Sequence, residues 1–279
     1  MLQSAINVSE GTNRSVLDLL ANAAGATLVD RHSDVSHNRS VFTLLGDDSD
    51  VLAGACRVTE AALSLLDVST HQGVHPRFGA IDVVPFVPFI DGRDRTTPVD
   101  FSAAHDVAAR YRAFAEAHGA TTARYGIGER SLPELRKCLA SGDLQGIVSG
   151  QVHPSHGITA VGVRDVLVAW NMWVDGVDLG GLRVVAKQLR SAALRTLALQ
   201  LGDGQLQLSC NIVLPFEISL TEIVQATRER LQPHGRVTGG ELVGLLPADL
   251  LNRSPKDQWE FLGVAERKSL EWNASVKRR

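Results

Sequence analysis

Leu197-Ala198-Leu199-Gln200-Leu201-Gly202-Asp203-Gly204-Gln205-Leu206-Gln207-Leu208 reads as two strands joined by a tight turn. The Gly-Asp-Gly signal marks a β-hairpin. The flanks of the hairpin decide the fold. Before it lie a strand over 165–174, carrying Val166, Leu167, Val168 and Trp170, and an amphipathic helix over 179–192. After it lie the second hairpin strand, which continues to 214, a helix over 220–231, a short strand over 240–246 and a helical tail. The order is β-α-β-β-α-β, the split pattern of ferredoxin-like sandwiches.

The same order appears at the start of the chain. Strands are expected over 2–6, 26–30, 40–45 and 80–87. Asn13 is placed to cap a helix burying Val16, Leu17, Leu20 and Ala23. Asp48 or Asp50 is placed to cap a long helix through Leu66. Between the two repeats come a helix over 101–118, a strand over 121–125 and a short helix over 132–139. The glycine-rich stretch 142–162 reads as a loop or binding segment. The expected fold is therefore α+β: two ferredoxin-like sandwiches packed side by side, with a cleft between them that suits a ligand.

Composition excludes several classes. The chain has 279 residues, 44% hydrophobic and 21% charged, with a net charge of −3. This is a globular balance without the basic field that nucleic acid or an anionic membrane would attract. No apolar run is long enough to span a bilayer, and Met1-Leu2-Gln3-Ser4 opens no signal peptide. A cytoplasmic location is expected. Cys56, Cys138 and Cys210 are scattered and form no CxxC pair, so neither a disulfide framework nor a thiolate zinc site is expected.

Four segments carry candidate chemistry. His71-Gln72-Gly73-Val74-His75-Pro76-Arg77-Phe78-Gly79-Ala80-Ile81-Asp82 is broken by glycine and proline and then enters an apolar strand. Imidazoles held there suit general acid–base work; a structural loop is the plain alternative. The i, i+4 histidines resemble a zinc pair, but Gly73 and Pro76 oppose a helix and no third ligand is near, so no metal is expected. Asn7-Val8-Ser9-Glu10-Gly11-Thr12-Asn13-Arg14 offers a helix N-terminus and Glu10 to a charged ligand, or is simply a cap. In Asp34-Val35-Ser36-His37-Asn38-Arg39, Arg39 could clamp a carboxylate, unless the loop carries an internal salt bridge. In His153-Pro154-Ser155-His156-Gly157-Ile158-Thr159-Ala160-Val161-Gly162-Val163-Arg164, the small residues 157, 160 and 162 would let a flat ligand approach the backbone.

These segments, in this order, resemble the formiminotransferase domain family. Asn7 to Gly11 is similar to its Asn-Phe-Ser-Glu-Gly opening. The strand from Asn38-Arg39 to Thr43 resembles its Asn-Arg-Ser/Thr-Val-aromatic-Thr. The segment 71–82 resembles its His-Lys-Gly-Glu-His-Pro-Arg-Met-Gly-Ala-Leu-Asp, with Gln72 and Val74 replacing the lysine and glutamate. Tyr125-Gly126, the run Gly157–Arg164 and Glu241–Pro247 match further family segments. The resemblance implies an N-terminal subdomain over 1–170 and a C-terminal one over 171–279, without a cyclodeaminase domain. It implies a homodimer that binds small molecules; the charge balance argues for neither a nucleic acid nor a membrane partner. The implied activity is transfer of a formimino group from N-formimino-L-glutamate to the co-substrate tetrahydrofolate, in histidine degradation. A second reading keeps a folate or other small molecule and drops the transfer.

The family's catalytic histidine falls on His75. Its folate segment falls on Gly157, Thr159, Ala160, Gly162 and Arg164. The motif matches also bring Asn7, Glu10 and Asn38 to the site. Arg77 and Arg39 would hold substrate carboxylates, while Asp82 or Asp34 would orient the imidazole.

Overall fold

A computed structural model describes residues 1–74, 76–93, 96–231 and 233–278. The chain divides into two units, one formed by 1–89 with 99–165 and the other by 90–98 with 166–279.

The first unit opens with β1 (Leu2–Val8), α1 (Arg14–Ala24), β2 (Leu28–Asp34), β3 (Arg39–Gly46), α2 (Asp48–Leu65) and β4 (Ile81–Pro88). Asn13 caps α1 as expected, its side chain accepting from the Val16 amide. Leu17, Leu20 and Ala24, spaced on one helical face, go into the core. Asp47 occupies the N-cap of α2, correcting the expectation for Asp48 or Asp50. Those two lie in the first turn, where carboxylates favour the helix dipole. Then follow α3 (Ser102–Ala117), β5 (Thr121–Gly126), α4 (Leu132–Ser141) and β6 (Ile158–Val163). Among the described residues these strands make a six-stranded sheet in the order β2-β3-β1-β4-β6-β5. Its first four strands are the antiparallel ferredoxin-like set. Strands β6 and β5 extend it in parallel with β4.

Strand β6 was not expected as a strand. Its six residues are all buried. Sandwiched between β4 and β5, it is covered on both faces and shows no alternation to read. Gly162 is required there: a Cβ on it would stand 1.9 Å from the Tyr125 carbonyl oxygen. Strand alternation separates two cores. Val161 and Val163 join the cluster under α1, α2 and α3. Ile158 and Ala160 join one with Ala123, Tyr125 and Leu135 of α4.

The second unit holds β7 (Val168–Asp175), α5 (Leu179–Leu189), β8 (Leu194–Gln200), β9 (Leu206–Ile212), α6 (Leu220–Leu231) and β10 (Arg236–Val243). The order β10-β7-β9-β8, all antiparallel, is the second ferredoxin-like sandwich. The α+β class and both β-α-β-β-α-β patterns are present as read from the sequence. The hairpin turn closes between Leu201 and Gln205, with Gly204 at φ +87°. Strand β10 begins four residues earlier than expected, at Arg236, with Gly239 inside the strand. A Cβ on Gly240 would stand 2.6 Å from the ring of the buried Trp170. The tail forms α7 (Ala248–Asn252), α8 (Trp259–Leu262) and α9 (Leu270–Lys277), and Trp170 donates its indole N–H to the Leu262 carbonyl at 2.8 Å. Among the described residues, no helix is long and apolar enough to cross a membrane.

Candidate active site

The four candidate segments meet at one end of the first sheet, where β1 ends and β3, β4 and β6 begin. Past β1, the Ser9 amide donates to the Ala80 carbonyl at 2.9 Å and its hydroxyl to the Gly79 carbonyl at 2.7 Å. Asn38 sits in the β2–β3 turn at φ +45°, a conformation that asparagine tolerates better than most residues. Its side chain joins two other segments. The oxygen accepts from the Gly11 amide and the nitrogen donates to the Gln72 carbonyl, each at 2.9 Å. Gly73 packs so closely on the turn that a Cβ would stand 2.3 Å from the His37 carbonyl oxygen. On the other side Ile158 donates to Phe78 and Ala80 donates to His156 through backbone bonds of 2.9 and 2.8 Å.

A β-bulge lies at the centre of this corner. Asn7 pairs with Val83 but Val8 pairs with Ile81, so Asp82 is the extra residue. Ile81 and Val83 accordingly join cores on opposite faces of the sheet, although they are two residues apart. Asp82 is fully buried and faces Arg39 Nη1 at 2.7 Å. It also accepts from the Phe78 amide. Arg39 Nε donates to Asn7 Oδ1 at 3.2 Å. Arg39 thus clamps a carboxylate, as its chemistry suggests, but one from this chain. Asp34, the other candidate to orient the imidazole, accepts from the His37 amide at 2.8 Å and lies 3.9 Å from the His37 ring nitrogen.

Positive charge accumulates around that pair. Arg77 donates to the Gly73 carbonyl at 3.1 Å. Burial lowers its pKa, Asp82 opposes the shift and Arg39 adds to it. Arg136 of α4 lies over the Phe78 ring at 5.2 Å and feels the same three influences in the same order. Arg164 is not part of this gathering: it follows the far end of β6, beside Tyr125, and donates to the Asp165 carbonyl at 2.9 Å. Burial pushes the Tyr125 phenol up to about 12, against the pull of Arg164. No motif points to Arg136, and Phe78, although inside the 71–82 motif, has no role assigned from sequence. Arg136 lies in a short helix outside every glycine-rich segment, and only the fold brings it to this corner.

The remaining nominated residues are distributed as follows. His75 lies outside the described residues. Glu10 turns back on its own loop and accepts from the Thr12 amide and hydroxyl and the Asn13 amide at 2.7–2.9 Å. Burial pushes its carboxyl up, yet the backbone donors together outweigh it and leave the pKa below the usual value. Gly157 closes a bridge to Gly79, and Thr159, Ala160 and Gly162 are buried in β6. At Gly157 and Gly162 the close approach is made by the protein's own backbone, Phe78 and Tyr125 respectively. Both ring nitrogens of His71 are buried without a hydrogen-bond partner among the described residues, and the rings of His153 and His156 stack at 4.0 Å. Among the described residues, no group of three or more His, Cys, Asp or Glu side chains could hold a metal ion.

An extended ferredoxin-like sandwich with arginines gathered about a bulge aspartate defines an α+β protein with a basic corner at one sheet end. Comparison with known proteins narrows the class. The family model described as "Formiminotransferase domain, N-terminal subdomain" matches residues 1–164. A "Glutamate formimidoyltransferase" of Streptococcus pyogenes serotype M1 is 33% identical over 271 residues, covering 88% of this chain and 88% of its own. A protein of the same description from Thermoplasma acidophilum is 26% identical over 97% of this chain and 96% of its own. The "Formimidoyltransferase-cyclodeaminase" of Sus scrofa is 30% identical over 90% of this chain, which spans 51% of that longer protein. The chain belongs to the formiminotransferase family.

Proposed function

We propose that this protein transfers the formimino group of N-formimino-L-glutamate to tetrahydrofolate, a step of histidine degradation. The observation that carries the reading is the 33% identity with a glutamate formimidoyltransferase along 88% of both chains. The gathering of the four motif segments at one sheet end supports it, as does the surplus of guanidinium groups there. Both substrates carry carboxylates, and arginine is the side chain that matches a carboxylate with two parallel donors. On this reading residues 166–279 are the C-terminal subdomain.

The chemistry assigns one proton carrier. N5 of tetrahydrofolate attacks the formimino carbon of the donor, forming a C–N bond and a tetrahedral centre. The attacking nitrogen must lose a proton and the departing glutamate nitrogen must gain one before its C–N bond breaks. The His75 imidazole takes the first proton and delivers it to the second nitrogen. Such a relay contributes about 10²–10⁴-fold in rate. Asn38 and Gly73 brace the loop that bears it.

A spectrophotometric assay with formiminoglutamate and tetrahydrofolate tests the proposal. The wild type should turn over, and His75→Ala should lose at least about 10²-fold in kcat. A wild type without turnover defeats the function; an undiminished His75→Ala variant defeats the mechanism. Tetrahydrofolate binding without turnover would point to the non-transferring reading.

A further inference from the structure

Arg136 is held in a defined place and has no salt-bridge partner among the described residues. Helix α4 is fixed at its start by a reciprocal capping box between Ser131 and Glu134, and by Leu135, fully buried against Ala123, Tyr125 and Ile158. The face of the guanidinium rests on the Phe78 ring. Its Nε is buried with no hydrogen-bond partner among the described residues. Asp82, the carboxylate whose field reaches it, is already engaged by Arg39 at 2.7 Å and by the Phe78 amide. A buried guanidinium N–H without an acceptor is costly, and such groups are rare unless something satisfies them. With one face covered and Nε buried, what the side chain has left to offer is the in-plane edge between its two Nη groups. That edge fits the two oxygens of a carboxylate.

We propose that Arg136 is a binding residue for a carboxylate of the substrates, taken on the Nη1–Nη2 end of its guanidinium. The assignment rests on the formimino-transfer reading only for the identity of the substrates. Phe78 sets the plane of the fork, and the Arg39–Asp82 pair beside it prevents collapse onto an internal acid. The carboxylate can come from the formiminoglutamate donor or from the glutamate end of tetrahydrofolate.

Arg136→Gln and Arg136→Lys separate these sources and guard against misfolding. Each variant is first checked for a wild-type thermal transition. Arg136→Gln should raise the KM of one substrate about 10- to 100-fold, leaving the other KM and kcat nearly unchanged. A rise for formiminoglutamate identifies the donor carboxylate; a rise for tetrahydrofolate identifies the folate one. Arg136→Lys should recover only part of the loss, because lysine keeps the charge and loses the planar fork. Calorimetric titration with L-glutamate and with folinate supplies a readout that needs no turnover. If the wild type binds either and Arg136→Gln binds at least about tenfold more weakly, the assignment stands even where transfer fails. Equal binding by wild type and Arg136→Gln in both titrations, with both KM values unchanged, overturns it.

Discussion

Asp82 separates a buried ion pair from a surface one. It is fully buried, and its partner Arg39 is 15% exposed. The Arg31–Asp18 pair has the same 2.7 Å spacing, but its side chains are 30% and 54% exposed. Solvent and salt screen the second pair to about 0–1 kcal/mol. Removing one member of the first leaves an uncompensated charge, at about 3–5 kcal/mol. Asp82→Asn should therefore lower the unfolding free energy in urea by about that amount, whereas Asp18→Asn should change it by less than about 1 kcal/mol. Equal effects would mean that the corner is open to water. The sequence reveals Arg39 as a carboxylate clamp, since guanidinium chemistry is local information. It conceals the acid that is clamped. Asp82 is brought there by a bulge, and a period-two pattern carries no signal for one extra residue.

Elements were readable where periodicity and punctuation agree. The Gly202-Asp203-Gly204 turn fixed the β8–β9 hairpin, and Leu220–Leu231 is the α6 helix as expected. They were unreadable where burial on both faces erases alternation, as in β6. In sequence its glycine reads as a loop or a ligand approach; in the structure Gly162 makes room for the neighbouring strand. Gly162→Ala should accordingly cost about 1–3 kcal/mol or more, since the added methyl meets backbone rather than a movable side chain. Gly150→Ala is the control. Nothing lies within 4 Å of a Cβ there and its φ is not in the left-handed region. That substitution should be neutral or stabilise by up to about 1 kcal/mol. Thermal melts of the two variants check both expectations.

At the scale of the molecule, each unit carries its own large hydrophobic cluster. Residues 166–279, expressed alone, should give a mixed helix–strand circular dichroism spectrum and a cooperative melt; a coil spectrum would mean that this sandwich cannot stand by itself. The repeated topology was legible because it depends on element order alone. The membership of 90–98 in the second unit was not. That segment has no periodicity, and its anchors are distant: Arg93 lies over the Phe216 ring at 5.4 Å, and Asp91 accepts from Arg278 at 2.9 Å. This has a consequence for synthesis. Asp91 and Arg278 are 187 positions apart, and a ribosome adding about 5–20 residues per second needs roughly 10–40 s to cover that span. Strands β5 and β6 emerge within this interval and can close on β4 while the 90–98 segment waits. The nascent first unit must therefore fold around a tethered loop whose docking partner has yet to be translated.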